Sequence, residues 1–339
     1  MSKTIIYSCI FFNEKYINLI NLLLKSYKLF CNSHDDVEYL IICNNDYEEK
    51  IKEIFDNLNI NGKIWCMDLK TKFESCWSRY EIFNYPDIDL YNKILYLDCD
   101  ILVTNSINNI LDFQLENKLY VLAEGITSHN FWGAHHFKKG NPRCTAFSSG
   151  ILLFNNNIII KELFEEMIKY KNVQLNNYTG DSPNAGLNNC ILNDQPLLVY
   201  FAFKNKLYDN EKLINIVINN PKSFANHTIS HFPGGPGNYE NKINKMRNYM
   251  NNFMFNLDKT TNADNALIGK KYLWMDSNIE FLENYKMNAF GHGNYSIINK
   301  YLVNCYFDGH THLIKFNEDY STFFSIRKSD FAVVFGNHL

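Results

Sequence analysis

The chain has 339 residues, 33 basic and 36 acidic side chains, a net charge of -3 and 46% hydrophobic residues. This length allows two to three domains, and the apolar fraction supplies sizeable cores and excludes a disordered chain. The near balance of charge leaves no electrostatic footprint for nucleic acid or an anionic membrane, so neither is expected as a partner. No uninterrupted apolar run reaches transmembrane length. The nine cysteines are scattered without a C-x-x-C pair, which reads as reduced, buried thiols in a cytoplasmic protein.

In chain order, residues 4–12 read as a first strand rather than a signal peptide. Residues 14–30 carry helical periodicity with Asn13 as N-cap. Strand 37–43, helix 47–58, strand 63–67, helix 75–83 and strand 93–97 follow. Strands alternating with helices predict an α/β fold with a mostly parallel sheet covered on both faces. The middle is less regular: strands at 120–123 and 149–154, helices at 158–170 and 194–203, strands at 213–218 and 228–232. The Asn-, Gly- and Pro-rich loops 127–145 and 174–189 are long enough to be functional. A polar run at 258–265 marks a boundary, giving domains 1–257 and 270–339 with a linker at 258–269. Beyond it only short strands are expected, at 279–281, 301–307, 310–316, 323–327 and 332–335. The Asp308-Gly309 pair between two of them favours a primed hairpin turn. The C-terminal region therefore reads as a small antiparallel β domain of unassigned role.

The run from Lys93 to Leu97 ends in Asp98-Cys99-Asp100 and is followed by Ile101-Leu102-Val103. In extended chain, Asp98 and Asp100 point to the same side. Two such carboxylates repel unless a cation joins them, and the carboxyl end of a strand in an α/β protein is where ligands bind. A divalent metal site follows, with a phosphate-bearing substrate on it. The same spacing at Asp87-Ile88-Asp89 follows Pro86 in turn context and reads as solvated loop.

Further blocks then appear in order: Ile10-Phe11-Phe12-Asn13-Glu14-Lys15-Tyr16, Trp77-Ser78-Arg79-Tyr80, the Asp98-Cys99-Asp100 block, Phe147-Ser148-Ser149-Gly150, Asn193-Asp194-Gln195 and His231-Phe232-Pro233-Gly234-Gly235. Together they resemble the family 8 glycosyltransferases of GT-A fold, such as glycogenin and bacterial lipopolysaccharide galactosyltransferases, over roughly residues 4–254. The resemblance implies transfer of a hexose from a UDP-sugar with retention of anomeric configuration, assisted by Mn2+ or Mg2+. It implies Asp98, Asp100 and His231 as metal ligands, a donor set that suits manganese. It implies Ile10, Phe12, Asn13 and Tyr16 around the uridine, with Tyr16 stacking, Arg79 near ribose or phosphate, and Cys99 touching the nucleotide through its backbone. Ser148, Ser149, Asp194 and Gln195 would hold the donor sugar, with Asp194 the nearest candidate in a covalent variant of the mechanism. Gly234 would border the diphosphate. The acceptor is a carbohydrate, protein or small molecule, and a homodimer is compatible with the reading.

The chain also departs from that family. Ser148 stands where asparagine is usual, and the family's His-x-x-Gly-x-x-Lys run meets Gly237 at the lysine position. Lys242, on the following helix, is the candidate replacement. Two other readings stay open from the residues: a haloacid-dehalogenase-type phosphatase with Asp98 as nucleophile, and a catalytically inactive nucleotide-sugar or glycan binder. His310 and His312 share one strand face and mimic a metal pair, though no further ligand clusters near them in the sequence. His135 and His136 read as part of an acceptor-side loop.

Overall fold

A computed structural model describes residues 3–31, 36–137, 143–176, 193–222, 227–234, 238–252, 254–257 and 266–339. The polar run 258–265, which opens the expected linker 258–269, and most of the loop 174–189 lie outside these residues. Among the described residues, no helix is long and apolar enough to cross a membrane.

The N-terminal part is a seven-stranded sheet with strand order β3-β2-β1-β4-β7-β6-β8. Its strands are β1 (Thr4–Ile10), β2 (Val37–Cys43), β3 (Gly62–Cys66), β4 (Lys93–Leu97), β6 (Leu119–Ile126), β7 (Thr145–Asn155) and β8 (Tyr208–Asp209). The four strands β3-β2-β1-β4 pair in parallel. β7 runs antiparallel to both β4 and β6. The parallel strands are apolar almost throughout because both faces are covered. On β1, Ile6 and Ile10 enter one core with the helices α1 (Tyr16–Phe30) and α2 (Glu48–Leu58). Ile5, Tyr7 and Phe11 enter the opposite core with α3 (Lys72–Trp77), α5 (Ile158–Asn176) and α6 (Asp194–Asn205). This period of two is what strand geometry demands. A short helix α4 (Asn108–Leu111) and a second sheet β5-β10-β9 complete this part, built from Ile101–Val103, Ile229–His231 and Val217–Asn219. The helix α7 (Tyr239–Asn252) follows.

Several local expectations change, among them the helix expected at 158–170, which runs on to Asn176. Asn13 does not cap α1; its side chain accepts from Lys15 N at 2.9 Å, closing a turn two residues ahead of the helix. The helix expected at 75–83 begins earlier, because Thr71 and Glu74 form a capping box that starts α3 at Lys72, and a 3-10 helix continues it over Ser78–Asn84. Of the strand expected over 213–218, residues 213–216 form turns, and only Val217–Asn219 pairs with β10. The helix expected at 194–203 runs on to Asn205.

The C-terminal strands do more than the sequence showed: β11 (Lys271–Trp274) through β18 (Val333–His338) form a closed eight-stranded barrel. Closure comes from antiparallel pairing of β11 with β18. The hairpin between β15 (Leu302–Phe307) and β16 (His310–Phe316) turns at Asp308 and Gly309, with φ of 49° and 72°. Two positive φ values in succession are the primed turn read from the sequence. Tyr272, Trp274, Phe281, Phe316 and Phe323 fill the barrel. Its outer wall presents Leu302, Leu313, Phe324 and Ile326 to the core that holds α1 and α7. Lys25 Nζ donates to Phe331 O at 2.7 Å, and Asn304 Nδ2 to Phe255 O at 2.7 Å, across the same junction.

Candidate active site

β1 and β4 end side by side at the carboxyl edge of the sheet, and the candidate residues gather there. Tyr96 and Asp98 alternate onto one side of β4, and the Tyr96 hydroxyl donates to Asp98 Oδ1. Asp98 N donates to Gly150 O at 2.9 Å, which fixes β7 beside the turn. Asp100 follows in that turn and is almost fully buried. β10 then brings His231 over, with Phe232 N donating to Asp100 O at 2.9 Å.

One ligand atom each from Asp98, Asp100 and His231 lie within 4.8 Å of one another, the one such group of three found among the described residues. His231 Nε2 is 3.4 Å from Asp100 Oδ1. On the far side of the ring, Nδ1 is 2.8 Å from Asn219 Oδ1. An amide oxygen can only accept, so Nδ1 carries the proton in the neutral ring and Nε2 keeps its lone pair for a cation. Asp100 Oδ1 is buried without a hydrogen bond. A buried carboxylate oxygen in that condition is expensive unless a cation completes it. Gly150 leaves the space: a Cβ there would stand 2.9 Å from Asp98 Oδ2 and 3.1 Å from His231 Nε2. The donor set and the cleared volume therefore fit a divalent ion.

The charges respond to this crowding. Burial works to raise the Asp100 pKa, but His231 and Lys242 more than offset it and hold the carboxyl below the usual range. Burial works against charging His231, yet the Asp100 carboxylate beside it leaves the imidazole pKa raised overall. Lys242 Nζ sits 2.6 Å from Asp100 Oδ2.

On the other flank, Arg79 lies between two carboxylates. Its Nη1 is 3.3 Å from Asp98 Oδ1 and its Nε is 3.4 Å from Asp194 Oδ2. Its guanidinium stacks 4.8 Å from the Tyr96 ring centroid, and Nη1 also donates to Ser149 O at 2.8 Å. Asp194 is buried at the start of α6, where Tyr80 Oη and Ser149 Oγ approach Oδ2 at 3.3 and 3.4 Å. Burial raises its pKa, Arg79 opposes that, and the net direction is upward. Gln195 Oε1 accepts from Ser149 N at 3.0 Å, and Gln195 Nε2 donates to Phe131 O at 3.3 Å.

Asp98, Asp100, His231, Lys242, Arg79, Ser149, Asp194 and Gln195 thus form one connected network. Ser148 is buried next to it, its Oγ accepting from Gly150 N at 3.2 Å, and Gly234 lies against the Lys242 side chain. Ile10 is fully buried in the core, so only its backbone can face a nucleotide. Phe12 is exposed, with φ of 65°. Tyr16 is half-buried and meets the Tyr239 ring edge-on at 4.8 Å. Cys99 points inward and donates from Sγ to Cys9 O at 3.2 Å. His310 and His312 are not brought to a metal group: the His312 ring stacks on Phe307 inside the barrel. His136 packs on the Tyr170 and Tyr200 rings. Tyr96 and Asn219 carry no role in the sequence-based expectations, and Tyr80 enters them only within the Trp77–Tyr80 block. Tyr96 was recoverable, since it precedes Asp98 by two residues on the same strand face. Asn219 carries no local signal; its placement depends on the pairing of β9 with β10.

Comparison with solved structures gives matches at low identity. The glycosyltransferase GlyE of Streptococcus pneumoniae TIGR4 is 19% identical over 56% of this chain and 44% of its own, with TM-score 0.37. The chain thus spans less than half of that protein's length. Mouse xyloside xylosyltransferase 1 is 13% identical over 70% of this chain and 99% of its own, with TM-score 0.46. The galactosyltransferase LgtC, solved with donor and acceptor sugar analogues, is 14% identical over 71% and 95%, with TM-score 0.46. No curated protein matches the sequence. The model of the family described as glycosyl transferase family 8 matches residues 9–235, which include Asp98, Asp100, Asp194 and His231. The chain belongs to glycosyl transferase family 8.

Proposed function

We propose that this protein is a retaining, metal-dependent glycosyltransferase that moves a hexose from a UDP-sugar to a glycan, protein or small-molecule acceptor. The observation that carries this reading is the Asp98–Asp100–His231 group with its unbonded Asp100 Oδ1, joined through Arg79 to Asp194, Ser149 and Gln195. A Mn2+ or Mg2+ ion held by the first three residues would supply Lewis-acid neutralisation of the leaving diphosphate. The residues around it have separable tasks. Phe12 and Asn13, in the turn after β1, and Tyr16, at the start of α1, border the nucleoside side. Ser148, Ser149, Asp194 and Gln195 receive hydroxyls of the donor sugar. Arg79 keeps the Asp98 and Asp194 carboxylates apart and oriented. The acceptor hydroxyl attacks the anomeric carbon from the face that UDP leaves. The bond from that carbon to the phosphate oxygen breaks, the bond to the acceptor forms, and the acceptor proton passes to the departing phosphate. Positioning and electrostatics carry most of the acceleration in such a step.

Asp98 is engaged by Tyr96 and Arg79 rather than presented as a free nucleophile, which favours this reading over the phosphatase. The eight described cysteines form no disulfides, which supports a reducing, cytoplasmic setting. The test is UDP release from a panel of UDP-sugars by purified protein with Mn2+. Slow hydrolysis that disappears in Asp100→Asn supports the proposal. Absence both of UDP release and of any Mn2+-dependent thermal shift by UDP-sugars would overturn it.

A further inference from the structure

The Lys242 side chain reaches from the first turn of α7 into the Asp98–Asp100–His231 group. Its ammonium stands 2.6 Å from Asp100 Oδ2, with side-chain exposures of only 11% and 6%. Its stem runs past Gly234, at the end of the His231 segment. The other Asp100 oxygen, Oδ1, faces His231 and has no hydrogen bond. One carboxylate is thus divided between the Lys242 ammonium on Oδ2 and, on Oδ1, the side shared with His231 and Asp98.

We propose that Lys242 is a built-in counter-ion that competes with the divalent cation for Asp100 and thereby couples cation binding to diphosphate binding. This rests on the metal and UDP assignments made under the proposed function. The physical argument concerns where the ammonium goes. A second cation at Oδ1 places like charge close to Nζ in a poorly screened site, where repulsion is strong. Moving a buried ammonium away from its carboxylate without a new partner is also unfavourable. Cation binding alone therefore meets both penalties. A diphosphate removes them, because its oxygens accept the ammonium as Asp100 releases it. Cation and diphosphate consequently bind together more tightly than either binds alone. Linkage requires that each strengthen the other by the same factor.

The test measures Mn2+ affinity, by the electron paramagnetic resonance signal of free Mn2+, with and without saturating UDP. The proteins are the wild type, Lys242→Met, Lys242→Gln as the milder variant should the first fold poorly, and Lys242→Arg. The wild type is expected to bind Mn2+ weakly, with UDP tightening it roughly tenfold or more. Lys242→Met and Lys242→Gln should bind Mn2+ alone more tightly than the wild type and show a smaller UDP effect. Lys242→Arg, which keeps the charge, should retain the UDP effect. Unchanged or weaker Mn2+ affinity in the charge-removing variants without UDP overturns the competition and leaves Lys242 an anchor for α7. Failure of every protein to bind Mn2+, with or without UDP, overturns the metal assignment itself.

Discussion

His231 and Asn219 are direct register partners on the parallel strands β10 and β9, and their side chains meet at 2.8 Å between Nδ1 and Oδ1. This contact fixes which ring nitrogen carries the proton and turns Nε2 toward Asp98 and Asp100. Asn219→Ala removes the acceptor and frees the ring to rotate. Mn2+ affinity is expected to fall by roughly 10–100-fold, as for other residues that orient a metal-binding histidine. Isothermal titration on the folded variant checks this, and an unchanged affinity would show that His231 is held by other means.

Gly150 offers a sharper probe of the same volume. A methyl group there would lie 2.9 Å from Asp98 Oδ2 and 3.0 Å from His231 Cε1. Gly150→Ala therefore places carbon in the space between the ligands. The expected outcome is loss of measurable Mn2+ binding with a far-UV circular dichroism spectrum like that of the wild type. Retained Mn2+ affinity would mean that the ion sits away from the Gly150 face of the group.

What the sequence made legible was local. The alternation along β4 exposed the Asp98–Asp100 pair, and a strand end needs only a few residues to declare itself. The Asp308-Gly309 turn is likewise a two-residue signal. The unread parts are non-local. The Arg79 bridge joins segments more than a hundred residues apart, from Ser78–Asn84 to α6. Barrel closure pairs Tyr272 with His338, and nothing within either strand distinguishes a closed barrel from an open antiparallel sheet. The α3 start lies at Lys72 rather than Ser75 because the Thr71–Glu74 capping box starts the helix there.

Leu313 marks how the barrel is attached. It is fully buried and faces the core shared with α1 and α7 rather than the barrel interior. Leu313→Ala should destabilise the protein by about 2–5 kcal/mol, the range for truncating a buried leucine. Hydrogen exchange gives the distinguishing readout. Protection should fall in α1 as well as in β16, because the cavity belongs to both. Loss confined to barrel amides would make the barrel an independently folding unit.

His312 supplies a pH test in the barrel. It lies inside the wall between Phe307 and Trp274, with Ser325 Oγ 3.4 Å from Nδ1. Burial, with Arg327 and His310 nearby, lowers its pKa from 6.5 to about 4. Above pH 6.5 the ring is neutral in both folded and unfolded chains, so stability is unaffected there. Between 6.5 and about 4 the unfolded chain takes up a proton that the folded one refuses, and stability falls as pH falls. His312→Leu removes this contribution while the carboxylates elsewhere keep theirs. The variant should therefore lose less stability than the wild type between pH 7 and about 4.5, measured by urea unfolding at each pH. Parallel stability curves for the two proteins would mean that the imidazole is protonated in place, with the Ser325 side of the barrel admitting water to it.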